Sequence, residues 1–403
     1  MSVSLYHTQR IRGFQQQSVK YSGRTMLIAL KRTKFNCPWC GSENVALQKI
    51  SNRKIQGEPL GYYRRVILKL TTHRLYCRDC PARAMEHIHF LSHSRARMTR
   101  SLERTVLELR QHMSIRAVAN YFHLRWHTVK DLEKRDLKRK YSRIQTTHVK
   151  AIGIDEIYVS RANKESKYLT IIRDLESGSV IHIGDGKGTD AIHGALRKLR
   201  RAKLRLVTMD MSNAYYNWFN KYFPKVKIVF DHFHVIKLVN EKVDKVRRRV
   251  VSKMGEVQKK QLKGLRFVFL KNYEHLEEDR KSILRNMRGD YQDLGDVCMF
   301  KESLRQIYQK AKTSYHARRA FARWCKAADK TEIPELKTMA KTIRSKMEGI
   351  VTYWTFKGIS NASMEGFNNK VRWLIRQAYG FRDREYFKLK IFQLPEISRQ
   401  KEL

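Results

Sequence analysis

The sequence is short of acid. Its 403 residues carry 38 Asp and Glu against 84 Lys and Arg, a formal charge of +46. The excess divides almost evenly between the first 150 residues and the rest, which excludes a single basic tail as its source. A basic excess spread over a folded chain is the footprint of a nucleic-acid binder, because each neutralised phosphate releases condensed counterions. Long apolar runs are missing too: no stretch approaches the ~18 residues that cross a bilayer, and no signal-peptide pattern opens the chain. Membrane attachment therefore fits worse, and a cytoplasmic protein is expected. Internal repeats and low-complexity linkers are absent. Proline is scarce, at six, so long helices are permitted. Six cysteines in a reducing compartment are not expected to pair as disulfides. What is present is a 42% hydrophobic share, enough for two or three domains with a substantial core.

Four of the cysteines form two knuckles, "CPWC" (Cys37, Cys40) and "CRDC" (Cys77, Cys80). Two such pairs offer four thiolates to one structural zinc ion, and the intervening "YYRRVILKLTTHRLYC" predicts ribbon strands. Cys298 and Cys325 stand alone and are expected to pack as small apolar residues. Next, Leu102, Val106 and Leu109, then Ile115, Val118 and Ala119, fall at helical spacing. A break at His123-Leu124 precedes a third, basic segment. This predicts a helix-turn-helix with residues 125–141 as the recognition helix, Arg125, Lys130 and Lys134 facing DNA.

From residue 148 the pattern changes to three short strands, "HVKAIGIDEIYVS", "SKYLTIIRDLESG" and "SVIHIGDG", with the tight turn at "ESGS". "TDAIHGALRKLR" predicts a helix opened by Thr189 or Asp190, "KLRLVTMD" a buried strand, "SNAYYNWFNKYF" a helix capped by Ser212, and "KVKIVFD" a fifth strand. Three antiparallel strands followed by alternating helix and strand describe an α/β mixed sheet flanked by helices. Residues 235–350 then become mostly helical and highly charged.

In such a sheet, ligands gather where strands end. Asp155 lies within the first strand and Asp210 ends the fourth. A carboxylate inside a strand is costly to bury unless something cationic offsets its desolvation. A helical wheel over residues 364–378 sets Met364, Val371, Leu374, Ile375 and Ala378 on one arc and Glu365, Asn368, Asn369, Arg372 and Arg376 on the other. Two aspartates and this glutamate in a basic groove can hold two Mg²⁺ ions ~4 Å apart at a scissile phosphate. The arginines and asparagines beside Glu365, with Lys370, would grip the flanking phosphates. Among competing carboxylates, Glu156 alternates to the other face, Asp185 lies in a turn, and Asp231 ends the fifth strand.

Cysteine knuckles, helix-turn-helix, "GIDEIY", "VTMDMSNAY", "DHFHVIKLVN" and "NASMEGFNNKVRWLIRQAYGFR", in this order, resemble the bacterial insertion-sequence transposases of the ISL type (insertion sequence L three). These carry a DDE catalytic domain of the ribonuclease-H-like fold. The likeness covers nearly the whole chain, and its most specific words are NxxxEGxNNK and AYGFR. The resemblance implies Asp155, Asp210 and Glu365 as the catalytic acids, binding two Mg²⁺ or Mn²⁺ ions. "DHFH" matches a D-x-x-H word of related enzymes, which makes Asp231 and His234 accessory candidates; a core role for His232 and His234 stays open. Arg323 and Trp324 resemble an Arg-Trp pair whose Trp is associated with a displaced base, the alternative being that Trp324 packs against Phe321 and Ala320.

The organisation implied is a zinc ribbon over 1–95, a helix-turn-helix over 96–145, catalytic segments over 146–234 and 351–403, and a helical insertion over 235–350. Double-stranded DNA, as transposon ends and target, is the expected partner. The chain is expected to act as a homodimer or larger oligomer near the bacterial nucleoid. The alternatives are a structure-selective nuclease on the same fold and a zinc-ribbon and helix-turn-helix repressor.

Overall fold

The computed structural model describes residues 5–159, 167–255, 265–282, 291–356 and 362–400, which divide into two units, Met1–Ser142 and Arg143–Leu403. Asn361, which opens the NxxxEGxNNK word, lies outside the described residues.

In the first unit, helix α1 (Leu5–Gln9) precedes strands β1 (Phe14–Ser22), β2 (Thr25–Arg32), β3 (Val45–Gly57), β4 (Arg65–Cys77) and β5 (Arg83–Met85). They form one sheet in the order β1-β2-β4-β3, with β5 pairing with β4. Met26, Ile28 and Leu30 point inward along β2, and Val66, Leu68 and Leu70 along β4, the two-residue period of a half-buried strand. The sequence predicts ribbon strands only between the knuckles. The structure adds β1 and β2 upstream of Cys37; β1 is mostly exposed and polar, so its pattern carried little signal.

Helices α2 (Arg100–Leu109), α3 (Ile115–Tyr121) and α4 (Trp126–Lys140) follow. The Thr99 hydroxyl accepts from the Leu102 amide and the Ser114 hydroxyl from the Ala117 amide, so both leading helices begin on side-chain caps. Leu102, Val106, Val118, Phe122, Val129 and Leu132 close a core between the three. Arg125 is the N-cap of α4 rather than its first turn, and His123 takes the left-handed conformation in the turn before it.

The second unit is built on β6 (Ala151–Tyr158), β7 (Tyr168–Asp174), β8 (Val180–Asp185), β9 (Leu206–Met209) and β10 (Lys227–Phe230), in the order β10-β9-β6-β7-β8. β6, β7 and β8 are antiparallel neighbours, whereas β9 runs parallel to β6 and β10 to β9. This is the ribonuclease-H-like α/β sheet. The helix expected from Thr189 breaks at Gly194-Ala195 into α5 (Thr189–His193) and α6 (Leu196–Arg200). Its N-cap is Gly188, not Thr189 or Asp190, and no side chain bonds there. Ser212 does sit at the N-cap of α7 (Asn213–Tyr222), without a side-chain bond.

Then come the helices of the insertion: α8 (His232–Ser252), α9 (Arg266–Leu270), α10 (Gln292–Lys310), α11 (Ser314–Asp329), α12 (Pro334–Ser345) and α13 (Met347–Thr355). Helices α14 (Ala362–Gln377) and α15 (Arg384–Gln400) end the chain. One sheet face packs Ile152, Ile154, Ile172 and Val207 into the core shared with α7 and the insertion. The other packs Ile157, Leu169 and Ile171 beneath Met364, Phe367, Val371 and Leu374 of α14. Gly153 permits that contact: a Cβ there would stand 2.7 Å from the Met364 Cγ.

Candidate active site

Parallel pairing of β6 and β9 matches Ala151 with Leu206, Ile152 with Val207 and Gly153 with Thr208, and then ends. Asp155 lies two residues beyond Gly153 on β6 and Asp210 two beyond Thr208, just past the end of β9, and the charge of Asp210 acts on Asp155. The end of that pairing is the switch point of the sheet, the usual ligand crevice of an open α/β fold. Asp155 Oδ1 accepts the Glu156 amide at 2.8 Å and its Oδ2 accepts the Asn368 side-chain amide at 2.7 Å. Asp210 Oδ1 accepts the Ser212 amide at 3.1 Å.

Burial is the largest influence on both aspartates and raises both carboxyl pKa values above the usual range. The Glu156 amide and the charge of His234 oppose it at Asp155; the Ser212 amide and His234 do so at Asp210. Negative charge from Asp210 and Glu156 adds to the rise at Asp155. Two desolvated carboxylates that repel one another suit a divalent cation, which favours hard oxygen donors. The buried Asn368 Oδ1, with no hydrogen-bond partner among the described residues, is a further oxygen beside them. The residues fit such an ion.

Glu365 stands in the first turn of α14, exposed, one turn before Asn368. Arg173 fixes that turn: its guanidinium donates to the Ser363 carbonyl at 2.8 Å and lies 4.0 Å from the Phe367 ring centre. Asn369, Arg372 and Arg376 are exposed as the wheel predicts, with Arg372 bonded to Asn369, and Lys370 is exposed beside them. Two positions depart from it. Asn368 is 2% exposed and turned to Asp155, because it lies on the Met364–Val371 line. Ala378 is exposed, since the helix stops at Gln377. Among the described residues the three acids are not drawn within 4.8 Å of one another.

Asp231 caps α8 through the Phe233 amide, and its charge reaches Tyr308 of the insertion. The charge of His234 acts on both Asp155 and Asp210. His232 packs its ring against Phe233, Tyr308 and Tyr353. Arg323 is exposed. Trp324 is buried, donates its indole N–H to the Phe300 carbonyl at 3.0 Å and meets the Phe300 ring edge-on. Arg125 is exposed and Lys130 and Lys134 half-buried on α4.

One group went unnoticed in the sequence. Lys187, between two left-handed glycines, Gly186 and Gly188, pairs with Glu156 at 3.0 Å. Tyr215 donates to the same carboxylate at 2.7 Å. The Gly-Lys-Gly word inside "GDGKGTD" was the available signal.

In the first unit the four knuckle sulfurs lie within 4.8 Å of one another, with Cys37 and Cys80 at 3.7 Å and Cys40 and Cys77 at 3.6 Å. A tetrahedron with metal–sulfur bonds of about 2.3 Å has edges close to those values. Amides of Cys40 and Trp39 bring the Cys37 thiol down to about 7, toward the thiolate. Asp79 ties the knuckles together by accepting from the Ser42 hydroxyl and from Asn44 Nδ2. These residues fit a zinc ion.

Among the described residues no helix is long and apolar enough to cross a membrane. A family model described as a transposase matches residues 152–391, and one described as the helix-turn-helix domain of transposase family ISL3 matches residues 94–136. The transposase for insertion sequence element IS1001 of Bordetella parapertussis is 28% identical, covering 92% of this chain and 91% of that protein. The transposase for IS1557 of Mycobacterium tuberculosis is 27% identical over 70% of this chain and 69% of its own. A solved structure, the Drosophila P element transposase strand transfer complex, aligns at a TM-score of 0.39 and 13% identity over 74% of this chain and 91% of that one. The transposase match alone runs from the first central strand to the last helix, more than half of the chain; this protein belongs to transposase family ISL3, enzymes that bind, cut and join DNA.

Proposed function

We propose that this chain cuts the ends of an insertion sequence by metal-dependent hydrolysis and joins the freed 3′-hydroxyls to target DNA, with Asp155, Asp210 and Glu365 as the acids of a DDE site. The observation that carries this reading is that Asp155 and Asp210, both desolvated, follow the last paired residues of β6 and β9, with the charge of Asp210 acting on Asp155. Two Mg²⁺ or Mn²⁺ ions held there would supply nucleophile activation and stabilisation of the leaving oxygen. Asn368 and the Glu156 amide hold the Asp155 carboxylate in one orientation, and the Ser212 amide holds Asp210. Glu365, in the helix turn that Arg173 anchors, completes the set from the opposite element. Asn369, Lys370, Arg372 and Arg376 continue its stripe and grip flanking phosphates. His234 is an accessory neighbour whose charge acts on both aspartates.

In the first unit, Arg125, Lys130 and Lys134 contact the terminal repeats, and a structural zinc ion closes the four-cysteine ribbon. Two ends must be held together during joining, so two copies of the chain are the smallest working assembly. The five-part organisation from ribbon to C-terminal catalytic segment follows from the same reading.

Glu365→Gln tests it, keeping size while removing charge. End binding should stay within a few-fold of the parent while cleavage and joining fall by at least ~10³. Near-normal cleavage by this variant overturns the assignment.

A further inference from the structure

Three lysines are buried among the described residues: Lys301, Lys346 and Lys390. Lys301 is satisfied, donating to the carbonyls of Phe269 at 2.9 Å and Lys271 at 2.7 Å beside Glu302. Lys390 donates to Gln393. Lys346 differs. It is 7% exposed, yet no carbonyl or carboxylate among the described residues accepts from its Nζ. Instead the ammonium lies 4.2 Å from the Tyr216 ring centre and 5.6 Å from that of Phe230.

Those two rings fix where the charge sits. Phe230 ends β10 opposite Met209, the residue before Asp210, and Tyr216 lies on α7, which follows Asp210. The rings touch one another at 5.8 Å. Lys346 joins α12 to α13, with its amide bonded to the Thr342 and Ile343 carbonyls and its own carbonyl accepting the Ile350 amide. Gly349 lets α13 lie flush on β10, since a Cβ there would be 2.5 Å from the Phe230 ring. The lysine is thus delivered by the insertion to the open end of β9. Its charge and that of Asp210 act on each other without forming an ion pair.

An ammonium has three donors, and no carbonyl or carboxylate of the described residues takes those of Lys346, which leaves them open to an incoming ligand. A counter-charge for Asp210 would be expected to touch it. We propose that Lys346 is a substrate-contacting residue whose ammonium takes a non-bridging oxygen of the DNA phosphate bound beside Asp210. This rests on the reading of Asp210 as an acid of the cutting site. The ligand class is a phosphodiester, and the contact neutralises charge that builds on the phosphate during displacement. The aromatic faces hold the ammonium in place before DNA arrives, without offering it a competing acceptor.

The test uses the full-length protein with Lys346→Met, whose side chain keeps the length and packs on the same rings, Lys346→Arg, and Asp155→Asn in parallel. Melting temperature, end-DNA affinity against salt, and single-turnover cleavage across a Mg²⁺ series are measured. Lys346→Met is expected to fold, to lose about one from the salt slope of end binding, and to cleave ~10²–10³-fold more slowly at every Mg²⁺ concentration. Lys346→Arg should restore cleavage to within ~10-fold. Cleavage by Lys346→Met within ~3-fold of the parent at unchanged salt slope overturns the proposal. So does a defect that excess Mg²⁺ repairs, which would make the lysine a tuner of metal affinity only. Should the Met variant not fold, Lys346→Gln carries the same expectations. If Asp155→Asn still cleaves, the acid-site reading itself fails; if it is dead while Lys346→Met is active, only this inference falls.

Discussion

All four knuckle sulfurs lie within 4.8 Å of one another, whereas Asp155, Asp210 and Glu365 are not gathered so closely and Glu365 is exposed. The cysteines are set by short-range backbone bonds, Cys37 N–H to the Ser42 carbonyl and Cys77 N–H to that of Ala82, with Asp79 bridging the two loops. The acids come from β6, the end of β9 and α14, and the side-chain bond that joins the outer two elements, Asn368 to Asp155, spans 213 positions. A closed, locally built cluster suits a metal that holds a fold. An open one, built from distant elements, leaves space for a phosphate between its acids.

The largest effect that would break this contrast comes from the cysteines. Chelation, or Cys77→Ser, should unfold the ribbon, because structural zinc contributes ~10–16 kcal/mol of folding free energy in small zinc domains. Unit 2 should keep its own melting transition. A parent protein that contains no zinc by elemental analysis removes the basis for the comparison.

Asp155→Asn should do the reverse. Cleavage should fall at least ~10³-fold, about 4 kcal/mol in the barrier. Because burial raises the pKa of Asp155, its ionised form costs the fold stability at pH values above that raised pKa. The Asn variant is therefore expected to melt at or above the parent's temperature in metal-free buffer at neutral pH. A marked loss of stability would mean that the carboxylate holds the fold together, as the cysteines do.

Trp324→Phe separates scaffold from site. Losing the indole N–H removes one of the bonds to the Phe300 carbonyl, which keeps the Ser303 hydroxyl, at a cost of ~0.5–1.5 kcal/mol read by thermal melting. End DNA with an abasic or mismatched flank should not rescue cleavage; rescue would return Trp324 to the DNA.

The smallest expected effect concerns His182, which burial brings down to about 4 from an ordinary 6.5. Its neutral ring contributes stability at pH above 6.5, and that contribution is lost as the pH falls from 6.5 through about 4. His182→Gln should flatten unit 2's melting temperature against pH in this window, which denaturation at a series of pH values would show.

Much of this was legible in the sequence. All five strands of the second sheet were, because their apolar runs end at clear turns, and so was the stripe carrying Glu365. The single helix expected from Thr189 failed at Gly194, where a Cβ would crowd the His182 ring at 3.0 Å. That contact joins segments apart in the chain, which periodicity does not encode. Asn368 was assigned to the solvent side because it is polar, although its position, four residues after Met364 and three before Val371, already set it on the buried line. Lys346 gave no signal at all. A lone lysine between two helices looks like solvated surface until Tyr216 and Phe230 are brought beside it.

The reach of the Asn368 bond has a consequence for synthesis. While the ribosome is still making the insertion, the four-cysteine and helix-turn-helix unit has already emerged, and Glu365 and Asn368 do not yet exist. A growing or prematurely ended chain therefore carries the elements proposed to recognise the element's ends and lacks the last acid proposed to cut them. On that reading such a product would occupy the ends without breaking them and compete with the finished enzyme.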